Sequence, residues 1–401
     1  MRLRPLLPVA PLAFLVLVGA TASRPRAASS PAEPTSGRDI FRHDTFGDEQ
    51  LWTGALRMHE AVAKLDPKTA LSVGLKVDLE ALPAKTVAAL KAGQVDLTSP
   101  AVTLDLLRAN AVVGVKGTVS EAGALTSVGV TCALCHSTVD DSLVPGIGKR
   151  LDGWANTSLD VGAILALSPA LDAAAKAEFK KWGPGKYDPR HHYFDGAKIV
   201  PLNATSVPID IPAIYGLKGV GFETVTGDGP ISYWNAYVGI GQMGGKGTFR
   251  DPRLKMSIQQ SPDLVTPKLK ALLDYQLSLE APKPPASSFD GAAASRGRQV
   301  FEGKATCARC HQGSTRTDVG TSGSPVLHDP ADVGADATYA ARSATRRYRA
   351  TPLRGLFQHG PYFHDGSAKD LAAVVARYEQ RLRLSLTDAE RRDLVEYLKS
   401  L

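Results

Sequence analysis

Four cysteines are the whole thiol inventory of this 401-residue chain. All four stand in two copies of one five-residue pattern, Cys132-Ala133-Leu134-Cys135-His136 and Cys307-Ala308-Arg309-Cys310-His311. Two thiols three positions apart, followed at once by an imidazole, can add to the two vinyl groups of one porphyrin while the histidine reaches its iron. Two covalently bound haem c groups are therefore expected, attached through Cys132, Cys135, Cys307 and Cys310, with His136 and His311 as iron ligands. Three plainer readings use the same thiols: a four-thiolate zinc site, redox dithiols and a pair of structural disulfides. None of them asks for a histidine after each pair.

The remaining iron ligands must come from elsewhere, because a haem with two strong axial ligands transfers electrons while one with an open face can bind an oxidant. His364 follows His311 by 53 residues, in a loop bounded by glycines, and is the expected sixth ligand of the second haem. His359 and His328 are alternatives there, as is Tyr378. After His136 no histidine follows until His191 and His192, which suggests an open face on the first haem. Met243, in a glycine-rich stretch that lets backbone approach closely, and His59 are the competing ligands. Trp234, in Tyr233-Trp234-Asn235-Ala236-Tyr237, is the residue expected between the porphyrins, and a core aromatic is the plain alternative.

Stepping outward, the elements that must hold these groups are mostly helical. Apolar residues recur at helical spacing over 49–65, and further helices are expected at 83–92, 103–109, 169–182, 267–279, 292–301 and 386–401. Thr387 and Glu390 form a capping box for the last helix. The stretch 183–260 reads as loops, and few strands are expected beyond short pieces such as 111–115. The fold class is thus mainly α, with two cytochrome-c-like haem domains carrying long loop-rich insertions. The expected division is a signal peptide (1–22), a flexible leader (23–36), an N-terminal haem domain (37–280), a Pro-rich linker (281–290) and a C-terminal haem domain (291–401).

Arg2 and Arg4 precede an apolar stretch, and Ala20-Thr21-Ala22 offers a cleavage site, so export to the periplasm or beyond is expected. An uncleaved anchor is the alternative. The net charge of +7 is too mild and too dispersed for a nucleic-acid footprint; it suits a small acidic redox protein as partner. The densest basic cluster, Arg342, Arg346, Arg347 and Arg349, reads either as a solvated loop or as a haem-propionate or partner contact.

The C-terminal region resembles bacterial dihaem cytochrome c peroxidases and the related methylamine-dehydrogenase maturation enzymes. The resemblance is carried by Arg298-Gln299-Val300-Phe301, Thr351-Pro352-Leu353-Arg354-Gly355, Pro361-Tyr362-Phe363-His364-Asp365-Gly366-Ser367 and the closing helix. Tyr378 falls where the peroxidases have a Met and the maturation enzymes a Tyr, which makes it the rival of His364. Those peroxidases also supply a distal His soon after the first motif, and this chain does not. The central region is similar to dihaem rubber oxygenases, in which a Trp lies between the haems and a Phe covers the oxygen-binding face; Trp234 and Phe249 stand at comparable spacings. The resemblance implies a haem-dependent oxidoreductase acting on peroxide or dioxygen, with a pure electron carrier as the alternative. Ile40–Glu49 looks motif-like and has no chemical role that its residues define.

Overall fold

A computed structural model describes residues 36–203 and 205–401. The expected signal peptide, and all of the expected leader except Ser36, lie outside the described residues. Helix makes up 37% and strand 13%. Helix exceeds strand, yet six two-stranded sheets are present among the described residues, more β structure than the sequence patterns indicate. The reason is strand length. Val115–Val119 and Leu125–Val130 pair antiparallel with Val115 opposite Val130 and a bulge near Thr118, and strands this short show little alternation to read.

The first described helix, Gly37–His43, is capped by Ser36, whose hydroxyl accepts the Asp39 N–H. The helix expected over 49–65 is broken. Gln50–Ala55 is a π-helical turn, Arg57 takes the left-handed conformation at φ 54°, and Met58–Val62 is a separate α-helix. Leu51, Trp52, Leu56 and Met58 are buried all the same, so the periodicity reported burial rather than helix type. Expected helices appear as Ala84–Lys91, Pro100–Arg108, Leu269–Ser278, Gly291–Glu302 and Asp388–Lys399. The stretch 169–182 keeps only Ala173–Phe179, while Ile231–Ala236 and Leu371–Leu382 are additional.

Among the described residues three apolar cores result. The largest runs from Ile40 to Leu272 and surrounds the first motif. The second, from Ala294 to Leu398, forms where Gly291–Glu302 crosses Asp388–Lys399. At that crossing a Cβ on Gly297 would lie 1.9 Å from the Asp393 carbonyl oxygen. The capping box of the closing helix is present with Thr387 and Glu390. The third core is small and joins Ile209 to Tyr339, Ala340 and Tyr348.

Around it, Arg342 pairs with Asp188 and Arg349 with Glu223, each at 3.0 Å and largely out of solvent. This corrects the solvated-loop reading for these two arginines; Arg347 pairs with Asp329 in the open. Among the described residues no helix is long and apolar enough to cross a membrane.

Candidate haem sites and a buried aromatic row

Strand Leu125–Val130 delivers the first motif, which occupies a single turn, Ala133–His136. The chain leaves along Ser137–Val139, antiparallel to Arg150–Asp152. Gly114 crosses the motif so closely that a Cβ would stand 2.1 Å from the Leu134 nitrogen, and its φ of +74° independently requires glycine. Asn156 ties the turn down: its backbone N–H donates to the Cys135 carbonyl at 2.9 Å and its side chain to the Gly74 carbonyl at 2.9 Å. His136 Nδ1 is 3.0 Å from the Pro212 carbonyl oxygen. A carbonyl only accepts, so Nδ1 carries the proton and Nε2 is left with its lone pair, the tautomer an iron ligand needs. Burial lowers the His136 pKa to about 4, keeping the ring neutral, and raises the Cys132 and Cys135 thiols to about 12.

The second motif begins in a tight turn, Cys307–Arg309, entered through Thr306 at φ 55°. His311 is oriented as His136 is, with Nδ1 3.0 Å from the Arg316 carbonyl oxygen. Its ring lies 6.4 Å from that of Phe301. Burial raises the Cys307 thiol to about 11. All four cysteines are free of disulfide bonds. Unbridged thiol pairs, each followed by a neutral imidazole whose Nδ1 is already engaged, fit covalently attached haem at both places.

The sixth-ligand candidates of the second site separate into two groups. His364 is buried, with its ring 4.9 Å from Tyr348 and 6.0 Å from Tyr339, and its Nε2 3.3 Å from the Tyr348 hydroxyl. Tyr378, on Leu371–Leu382, has its pKa raised to about 12, first by burial and then by the charges of Cys307 and Cys310. Leu371 and Val375 of the same helix share the second core with Cys307. His328 pairs with Asp318 at 3.0 Å, and both cluster with Cys310. His359 packs against Tyr362 at 5.8 Å.

Trp234 is buried in Ile231–Ala236. Its ring is 5.6 Å from Tyr233 and 5.3 Å from Tyr237, and Phe249 is 5.5 Å from both tyrosines. The two residues singled out in the sequence thus share one aromatic cluster. A residue the sequence reading passed over extends it. Arg190 is buried, ion-paired with buried Asp228, and its guanidinium carbon lies 5.7 Å from the Trp234 ring and 5.8 Å from the Tyr339 ring. Trp234, Arg190, Tyr339 and His364 therefore form a continuous row of π faces and one cation.

A second set missed in the sequence is polar. A cavity of about 30 Å³ is lined by Tyr187, His192, Gln242, Leu51 and Trp52, among others. The Tyr187 hydroxyl donates to Gln242 Oε1 at 2.7 Å, and Gln242 Nε2 donates to the His192 carbonyl at 3.0 Å. Burial lowers His192 to about 3, so its ring is neutral. Burial, then the charges of Tyr237, Cys135 and Asp188, raise the Tyr187 pKa. Leu51, Trp52 and Gln242 sit on π-helical turns, Gln50–Ala55 and Tyr237–Gln242. Such turns are frequent at functional sites, and a 3.6-residue pattern gives no warning of them. Met243 is buried in the large core, its carbonyl accepting from Trp52 Nε1 at 3.0 Å. His59 lies on the short helix Met58–Val62.

Residues 294–401 match the cytochrome c family. The chain is 36% identical over 129 residues to the methylamine utilization protein MauG of Methylorubrum extorquens, covering 28% of this chain and 35% of that protein. It is 28% identical over 190 residues to the hydrazine synthase gamma subunit of Kuenenia stuttgartiensis, covering 38% of this chain and 53% of the subunit. Thus the chain spans about a third to a half of these curated relatives. Among solved structures, a MauG-like protein associated with microbial copper homeostasis aligns with TM-score 0.35 at 18% identity, over 52% of this chain and 79% of that one. Kuenenia stuttgartiensis hydrazine synthase aligns with TM-score 0.29 at 22% identity, over 48% and 72%. The C-terminal part of the chain is accordingly similar to the cytochrome c family, and a 129-residue stretch of the chain is similar to MauG.

Proposed function

We propose that this is an exported redox enzyme with two covalently bound haems c, working in the periplasm or outside the cell. In this reading the haem on His136 has an open coordination position, and the haem on His311 is closed by His364 and exchanges electrons with a small redox protein. The observation that carries the proposal is the shared orientation of the two motif histidines, each held through Nδ1 by a backbone carbonyl at 3.0 Å. Bound haem would supply one-electron redox chemistry and, at an open position, binding of peroxide or dioxygen.

The chain's own residues divide the remaining work. Tyr187 and Gln242 hold each other in fixed rotamers. His192 offers a buried neutral ring whose Nδ1 has no hydrogen-bond partner among the described residues, able to hydrogen-bond an incoming oxidant without taking its proton. Phe249 closes the Tyr233 and Tyr237 side against water. Trp234, Arg190 and Tyr339 fill the path towards His364 with polarisable groups rather than solvent.

Tyr378 gives a second reading of the sixth ligand, favoured by its helix, Leu371–Leu382, whose Leu371 and Val375 share a core with Cys307. Low-temperature electron paramagnetic resonance of protein expressed with a cytochrome maturation system tests both. One high-spin and one low-spin ferric signal support the enzyme. Two low-spin signals, inert to peroxide and carbon monoxide, make it a pure electron carrier. Loss of the low-spin signal in His364→Ala, with Tyr378→Phe unchanged, assigns His364; the converse assigns Tyr378.

A further inference from the structure

The first half of the chain holds a second cavity, distinct from the one beside Tyr187 and Gln242. Its volume is about 60 Å³ and its accessible wall is apolar throughout. Met58 and Val62, Leu106 and Leu107, Val128 and Val130 line it, with Ile164 on a further side. The two polar residue types in the wall do not change its character. Thr103 Oγ1 donates to the Leu65 carbonyl at 2.6 Å, and Lys76 presents only methylenes to the space.

Two wall residues connect this cavity to the first motif. Leu134 is one of the two residues between Cys132 and Cys135, and it lines the cavity. Trp52 lines it too, and is also a wall of the pocket containing Tyr187, Gln242 and His192. Its Nε1 bond to the Met243 carbonyl holds the indole as a partition between the two spaces.

A cavity with no polar partner stays dry, because a water inside would lose its hydrogen bonds, whereas apolar gases enter without that loss. An apolar cavity of roughly 150 Å³ accommodates benzene or xenon. The smaller volume here favours something slimmer. We propose that this cavity is a holding site for dioxygen, or an apolar gas of the same size, which passes Trp52 to reach the first haem. The inference rests on the proposed open position at His136.

Crystals of the haem-loaded protein pressurised with xenon test it directly, with density expected among Leu106, Val128, Leu134 and Ile164. In solution, carbon monoxide rebinding after flash photolysis is compared between the native chain and Ile164→Phe, with Val128→Leu as the milder filling variant. Filling should abolish the xenon density and slow bimolecular rebinding several-fold while leaving the ferric spin-state signals unchanged. Carbon monoxide binding without xenon density, or a filled variant that rebinds at the native rate, overturns the gas site alone. Failure of carbon monoxide to bind either haem overturns the open-haem reading, and the delivery role with it.

Discussion

The two Cys-x-x-Cys-His turns are alike in sequence and unlike in setting. The first is enclosed by the large core, between two pairs of strands, with Gly114 pressed against it and two cavities nearby. The second follows one helix and faces the small core made by Gly291–Glu302, Leu371–Leu382 and Asp388–Lys399. The difference shows where each half spends its residues. The C-terminal half builds little beyond a compact haem-binding fold, while the first half builds an enclosed space around its motif.

This contrast predicts unequal responses to damage. Cys132→Ala with Cys135→Ala should remove one haem adduct by mass and loosen the large core, seen as lost near-ultraviolet dichroism. Cys307→Ala with Cys310→Ala should remove one adduct and leave most of that dichroism. Equal losses would break the comparison. Next come the close glycine contacts. Gly114→Ala forces an L side chain into a left-handed backbone against Leu134 and should cost about 3 kcal/mol in denaturant unfolding. Gly297→Ala, which pushes two helices apart, should cost about 2 kcal/mol.

Smaller effects sharpen the picture. Thr387→Ala removes one side of the capping box and should cost about 1 kcal/mol. His43 lies in the large core's first helix, where burial, then Lys116, Arg150 and Arg42, lower its pKa from 6.5 to about 4. The unfolded chain therefore binds that proton more readily. The contribution of neutral His43 is fully present above pH 6.5 and is lost as pH falls towards 4. His43→Gln should flatten the dependence of Tm on pH across that interval, and an unchanged slope would assign the acid sensitivity to other groups.

Much of the C-terminal half was legible in the sequence because its parts are local. A haem motif, a capping box and one helical stripe each fit within a dozen residues, and all appear in the structure. In the first part of the chain the motif was legible, and Trp234 and Phe249 both pack against Tyr233 and Tyr237. Arg190, Tyr187 and Gln242 were not legible. Arg190 meets Tyr339 across 149 positions, and no short pattern marks such a pair. The break at Arg57 escaped for a different reason: apolar spacing records which side chains face inward and carries no signature of a π turn or a left-handed residue.

The seam around the third core has a kinetic consequence. Arg342 to Asp188, Arg349 to Glu223, the Lys186 ammonium to the Asp365 carbonyl at 2.8 Å, and the Asp210 N–H to the His364 carbonyl at 2.8 Å all tie residues 186–223 to residues 342–365. Anchors of both kinds, side chain and backbone, oppose separation of these two segments. For the two haems proposed above, a spacing held in this way would make internal electron transfer insensitive to solvent viscosity. A rate that instead followed glycerol concentration would mean that the segments move apart.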